Sequence, residues 1–439
     1  MQSTSWNPKG QLVYMFWTLK LRSAAILLLV AAIISFAAEE TLATRPPNIV
    51  LIISDDQAWT DFGFMGHPVI ETPRIDRLAA ESTVFRHGYV PTALCRASLA
   101  TLLTGLYPHQ HMICTNDPPD GQPREVMLPF IERCATVPEL LASAGYTSMQ
   151  TGKYWEKHYR TAGFTHGMTT KGRHGEDGLA IGRKTMQPLY DFIEKHRAEP
   201  FFIWYAPMLP HTPHDPPPKL LAKYSTDDRP DKLARYYANC ERFDTTCGQL
   251  LDYIDELGLR DNTLVAFVVD NGWIQETGSQ RTTRGWFAPK SKLSPYDGGL
   301  RTPIMLRWSG RTEQAVYDDL VSSIDVAPTL LAAAGVDVPH EMPGMNLLPR
   351  CAGGQPIERD AVYGANYVHS SVDVNNPAAN LTHRWIRHGR WKLIVPVDEQ
   401  DPFELYDVHQ DPHEEHNVAE DNADIVADLR AQLDAWWTP

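Results

Sequence analysis

The chain has 439 residues, a formal net charge of −14, 43% hydrophobic and 21% charged residues. That apolar share supports one large core with a smaller appended unit and excludes a disordered chain. The acidic balance excludes broad nucleic-acid binding, which needs a basic face, but leaves room for a small anionic substrate in a locally positive cleft.

In chain order, Lys9, Lys20 and Arg22 precede an uninterrupted apolar or small run, 23–38, ending Ser35-Phe-Ala-Ala38. This is the layout of a signal peptide over 1–38, with Met15 as an alternative start. The run is shorter than the roughly 20 residues of a membrane span, so a secreted or periplasmic protein is expected rather than an uncleaved anchor. No later stretch is apolar and long enough to cross a bilayer. The buried-strand pattern of apolar, β-branched residues occurs at Asn48–Ser54, Pro200–Tyr205, Thr263–Asp270 and Pro303–Trp308. Helical spacing occurs at Pro73–Glu81, Val137–Ala144, Leu233–Leu257 and Ile324–Ala334. Strands alternating with helices predict an α/β domain over 46–335, built on a large, mostly parallel sheet flanked by helices. Past Val336 the texture becomes Pro- and Gly-rich, and short strands at Arg384–His388 and Trp391–Val395 precede a helix over Ala423–Trp437. Residues 336–439 are expected to form a smaller α+β subdomain. The six cysteines (95, 114, 134, 240, 247, 351) are too few for a disulfide scaffold. Cys240 and Cys247 stand about 10 Å apart by helical rise and cannot pair within one helix.

Two strands end alike. Ile49–Ser54 delivers Asp55 and Asp56, and Leu264–Val269 delivers Asp270 and Asn271. Ligands of open α/β sheets bind beyond the carboxyl ends of strands, so these four side chains can converge on one point. Three close carboxylates need a cation, and an all-oxygen set suits Ca²⁺, with Mg²⁺ the lesser choice. Asp and Asn also cap segments after many strands, so neither strand end alone identifies a metal. Lys153, His211 and Lys292 lie at other strand-to-loop junctions and suit the stabilisation of a charged ester. Taken singly, each is equally a surface or packing residue, and His109, His111 and His214 stay in that class. The window 151–184 is basic, with seven Lys/Arg against three acids. Finally, Ser98–Thr104 reads as a short helix closed by Gly105, with Cys95 at or before its N-terminus, where the dipole and Arg96 favour a thiolate.

Together these residues resemble the type I sulfatases of the alkaline-phosphatase-like superfamily. The similarity runs through Pro47–Asp56, Thr72–Ala79, Cys95 to His111, Thr151-Gly-Lys153, Asp270-Asn-Gly272, Tyr296-Asp-Gly-Gly299 and Ser323–Thr329. It closes with Glu404-Leu-Tyr-Asp, Asp411-Pro-His-Glu414 and Asn417-Val-Ala419. The resemblance implies a sulfate-ester hydrolase holding one calcium ion through Asp55, Asp56, Asp270 and Asn271. It implies that a formylglycine-generating enzyme oxidises Cys95 to formylglycine, whose hydrate attacks sulfur with one hydroxyl and expels sulfate through the other. Lys153, His211 and Lys292 would then bind the sulfate or assist the leaving group, on a small anionic ester or a sulfated glycan. Two positions depart from the family pattern. Leu99 stands where the family carries Arg, and Tyr154-Trp155 replaces Trp-His after Lys153. Both departures fall on groups that serve formylglycine, and Arg96 or His158 is the expected substitute. Two alternatives stay open: a metal-dependent phosphodiester or phosphonate hydrolase without formylglycine, and a non-catalytic binder of sulfated glycans. The cleft loops expected to set specificity are 155–185, 207–232, 273–292 and 364–383.

Overall fold

The computed structural model describes residues 45–277 and 287–439, so the signal-peptide reading of 1–38 lies outside the described residues. Residues 47–439 form one compact unit with two sheets. The strands of the larger are β1 (Asn48–Ser54), β2 (Thr83–Tyr89), β3 (Thr147–Gly152), β4 (His166–Gly167), β5 (Phe201–Ala206), β6 (Thr263–Val269), β7 (Arg301–Arg307) and β8 (Ala315–Ser322). Their spatial order is β4-β3-β5-β1-β6-β7-β2-β8.

Every residue of β1, β5 and β6 is buried, because helices cover both faces of the sheet. Ile49, Leu51 and Ile53 face one core with Leu99, Leu102, Leu330 and Leu331. Val50 and Ile52, with the alternate parity, face a second core with Leu78, Phe243, Cys247 and Leu250. Those partners come from helices α1 (Pro73–Ala80), α2 (Cys95–Thr104), α3 (Asp231–Glu256) and α4 (Val326–Ala333). The expected strands and helices are therefore present, with ends moved by at most three residues; Val137–Ser143 is likewise helical. The helix expected from Ser98 is longer, since Cys95 is its first residue and Gly105 closes it at φ 66°.

Strand β1 is parallel to both β5 and β6, and β3 to β5. Strand β7 runs antiparallel to both neighbours, β6 and β2. This one reversal matters for function. The amino end of β7 lies on the same sheet edge as the carboxyl ends of β1, β2, β3, β5 and β6, so the segment before Arg301 reaches that edge as well.

The second sheet is antiparallel, in the order β12-β11-β10-β9. Its strands are β9 (Ala361–Tyr367), β10 (Leu381–His388), β11 (Trp391–Pro396) and β12 (Glu404–Asp407). Helix α5 (Ala423–Trp436) packs Leu429 and Leu433 on one face, against Ile386, Leu393 and Leu405. Trp385, Ile394 and Tyr406 join Tyr89 of the larger sheet, and Val90 and Leu300 next to its strands, in a shared core. All six cysteines are free thiols.

Candidate active site

At the shared edge, β1 ends in Asp55 and Asp56, β6 in Asp270 and Asn271, and β3 in Lys153. Chain geometry at these ends is demanding. Asp56 has φ 59°, a left-handed conformation that a non-glycine residue holds at a cost of about 1–3 kcal/mol. Gly152 has φ +73°, and a Cβ there would meet the Ala206 carbonyl oxygen at 1.9 Å. The glycine lets the chain turn Lys153 inward.

Lys153 Nζ lies 2.5 Å from Asp55 Oδ1 and 3.6 Å from Asp270 Oδ2. Lys292 Nζ bridges both oxygens of Asp56, at 2.5 and 2.7 Å. His211 Nε2 stands 3.3 Å from Asp56 Oδ2, and Asn271 Nδ2 donates to Asp56 Oδ1 at 2.7 Å. Cys95 Sγ lies 3.9 Å from the same Asp56 oxygen. The structure thus brings all eight sequence-predicted site residues together.

The site is crowded with buried charge. Burial raises Asp55 well above the usual carboxylate range, against Lys153, with Asp270 and Asp56 adding to the rise. Asp270 is raised for the same first reason, with Lys153 opposing. Asp56 goes the other way: burial pushes it up, but neighbouring positive charge, Lys292 first, outweighs burial and holds it low. Burial lowers His211 and keeps it neutral. Three oxygens have no hydrogen-bond partner although buried: Asp55 Oδ2, Asp270 Oδ2 and Asn271 Oδ1. Buried polar atoms are normally satisfied, and orphaned hard donors beside Asp56 suit a hard divalent cation. The residues present therefore fit a metal ion.

Above this ring opens a cavity of about 140 Å³, lined by Asp56, Cys95, His211, Lys292 and a set of wall residues. Each loop expected to set specificity supplies a wall: Trp155, Arg173 and His174; Thr212; Trp273 and Phe287; and His369.

Residues 47–336 match the sulfatase family, and residues 283–437 match the C-terminal region of N-sulphoglucosamine sulphohydrolase. The chain belongs to the sulfatase family. It is 29% identical over 396 residues to human N-acetylgalactosamine-6-sulfatase, covering 80% of this chain and 74% of that one. A solved structure in complex with its substrate D-glucosamine-2-N,6-O-disulfate superposes with TM-score 0.70 at 21% identity, covering 89% of this chain and 97% of that one. The phosphonate monoester hydrolase of Agrobacterium radiobacter superposes equally, with TM-score 0.70, 20% identity and coverage of 89% and 95%. At such identities the superpositions establish the fold.

Three details of this sulfatase differ from expectation. Burial pushes the Cys95 thiol up to about 12, with Lys153 and Lys292 opposing, so the helix terminus does not yield a thiolate. Arg96 cannot help, because its guanidinium is turned into a buried pair with Glu156 at 2.8 Å and a bond to the Met127 carbonyl. Nor does His158 reach the cavity; its ring accepts from the Arg160 N–H and packs on Tyr159. Leu99 is core, 3% exposed.

The basic window divides. Lys157 pairs with Glu125 and Arg183 with Asp215, whereas Arg173 and His174 face the cavity. Trp155 is held between the Arg124 and Arg173 guanidinium groups, 5.0 and 4.7 Å from its ring centroid, with the His174 ring edge-on at 4.3 Å. Burial and the Lys153 and Arg173 charges lower His174 to about 2, so it is a neutral hydrogen-bonding group. Asn116 and His369 were not singled out by the sequence, and no local pattern marks them; they reach the cavity from two separate loops. His109 stacks on Trp437 and His111 contacts Thr101 inside the core, both structural.

Proposed function

We propose that the chain is an exported, calcium-dependent sulfatase that hydrolyses sulfate esters of carbohydrates, with Cys95 as the position of formylglycine. The observation that carries this reading is the placement of Cys95 Sγ 3.9 Å from Asp56, on the floor of a cavity whose rim holds Lys292 and His211. Asp55, Asp56, Asp270 and Asn271 would hold the calcium ion, which supplies charge stabilisation to the ester oxygens. Oxidised Cys95 would supply the nucleophilic oxygen.

The chain's own residues account for the rest. Lys292 and Lys153 offer fixed positive charge to the sulfuryl oxygens in a dry site, where each such contact contributes strongly. His211 Nδ1 is 2.6 Å from the Thr212 carbonyl, which places the neutral ring's proton there; a second proton, on Nε2 beside Asp56 Oδ2, would go to the leaving oxygen. Trp273, Phe287 and Trp155 give the cavity apolar walls on which a sugar ring can lie. A carbohydrate substrate is supported by relatives named for sulfated amino sugars. Export rests on the basic and apolar pattern of 1–38; no helix among the described residues is long and apolar enough to cross a membrane.

A second reading keeps the metal and uses unmodified Cys95 on a phosphate or phosphonate ester. Leu99 favours it, because an apolar core side chain stands one helical turn beyond Cys95. Mass spectrometry separates the two. Trypsin releases residues 87–96, with Cys95 next to last. In protein from the native host the peptide should carry the aldehyde or its hydrate, and an alkylatable thiol alone would overturn the first reading. A chromogenic aryl sulfate should be turned over and a chelator should stop it; preference for a phosphonate monoester would establish the second reading.

A further inference from the structure

Two sequence motifs lie outside the cavity yet meet each other. Asp297, of Tyr296-Asp-Gly-Gly299, and Glu414, of Asp411-Pro-His-Glu414, clasp the same lysine. Lys392 Nζ is 2.8 Å from Asp297 Oδ1 and 2.8 Å from Glu414 Oε1. Glu414 Oε2 also accepts the Asp297 backbone N–H at 2.6 Å, and the Tyr89 hydroxyl donates to Asp297 Oδ2 at 2.9 Å. Lys392, Asp297 and Glu414 are each at most 1% exposed. Glu414 holds φ 56°, a strained conformation kept by these contacts. From its other side, Lys290 Nζ donates to the Glu414 carbonyl while lying over the Tyr296 ring at 4.6 Å.

The segment so gripped, 290–300, is the strap that carries Lys292 into the site. Its inner side touches the chemistry directly. Leu293, at φ 68°, donates its N–H to the Ala93 carbonyl, two residues before Cys95. The Gly299 carbonyl accepts from the N–H of Gly272, next to Asn271, and a Cβ on Gly272 would strike the Gly298 oxygen at 2.0 Å. Thus one buried ion cluster, with Lys392 on the C-terminal sheet, braces the strap from outside, and the backbones of Ala93 and Gly272, near Cys95 and Asn271 in the chain, meet it from inside.

We infer that the Asp297–Lys392–Glu414 cluster is a positioning device for Lys292, through which the C-terminal sheet sets the affinity of the site for the sulfuryl group. The inference rests on the proposed role of Lys292. A buried pair is weak evidence of stability but well suited to fixing one register of a loop, and a misplacement of about 1 Å costs up to about a hundredfold in rate.

The test is a double-mutant cycle on the calcium-loaded protein. Glu414→Gln keeps an acceptor for the Asp297 N–H and removes the charge facing Lys392. It should lower kcat/KM for an aryl sulfate by about tenfold and weaken binding of inorganic sulfate in parallel. Calcium affinity should change by less than about twofold, because the four oxygen ligands hang on β1 and β6. In a Lys292→Ala background the same change should cost under about twofold, since the residues act through one another. An equal loss in both backgrounds, no loss in a folded Glu414→Gln protein, or a matching loss of calcium affinity overturns the inference. If Glu414→Gln does not fold, Lys290→Met, which releases the Glu414 carbonyl, is read in the same cycle. Sulfate binding needs no turnover. A wild-type protein that hydrolyses no sulfate ester therefore refutes the proposed function, while the cycle on sulfate affinity still decides the brace.

Discussion

Two charged clusters sit at opposite edges of the same sheet, and they differ in kind. At the carboxyl edge, Asp55, Asp56, Asp270, Lys153 and Lys292 are all under 9% exposed, and carboxylate oxygens are left without partners. At the other edge, Arg74, Arg77 and Arg260 face Glu81, Asp252 and Asp255 in a half-exposed lattice, where Arg260 holds Glu81 and Asp255 at 2.8 Å each. There every acid has a guanidinium partner, and Asp255 Oδ1 is the one carboxylate oxygen of the three acids buried without a hydrogen bond. Number of charges does not separate a site from a surface. What separates them is burial with incomplete compensation, which a ligand or ion can complete.

The contrast can be broken by substitution, starting with its largest expected effect. Cys95→Ala should remove turnover by about a thousandfold or more, as loss of a nucleophile does, with folding intact by circular dichroism. Asp56→Ala should lower turnover comparably and also abolish calcium binding by calorimetry; retained calcium affinity would move the metal away from this edge. Lys292→Ala should cost about a hundredfold to a thousandfold in kcat, the scale for a group that stabilises developing charge.

Stability measurements sharpen the comparison further. Leu99→Arg would bury an unpaired charge in the core beside β1, and should lower unfolding free energy by about 3–5 kcal/mol in denaturant titrations. A near-neutral result would show that this side of α2 can reach the cavity. Asp61, buried outside both clusters, is raised by burial to about 7 against a hydrogen bond from Tyr236. The folded chain then holds its proton more tightly than the unfolded chain, whose value is about 3.9. Its contribution to stability is full below about pH 4 and is lost as pH rises through 7. Asp61→Asn should flatten the fall in unfolding free energy between those values, and an unchanged slope would count against a protonated Asp61. The smallest effect belongs to the far edge. Arg260→Ala should cost about 0.2–1 kcal/mol, with kcat unchanged and the loss shrinking in salt.

Much of this was legible locally. Strand β1 could be read to the residue, because a run buried on both faces is continuously apolar and its acids mark the end. Lys153, His211 and Lys292 were legible through order along the chain and family resemblance, since none carries a local signal. Arg173 and His174 were hidden inside a basic window in which Lys157 and Arg183 pair with acids away from the cavity. The expected thiolate at Cys95 failed because a helix dipole acts over one turn, whereas burial and neighbouring carboxylates act from every side.

By itself, the sequence determined which residues are buried strands, which acids end them, and which family the pattern resembles. These are properties of period and neighbour, read within a few residues. The tertiary structure decided the rest: that β7 reverses and brings Lys292 beside Asp56, that Arg96 turns to Glu156, and that a lysine on the C-terminal sheet grips the strap between β6 and β7. Such contacts join residues far apart along the chain (Lys292 and Asp56 are 236 positions apart), and no local pattern records them.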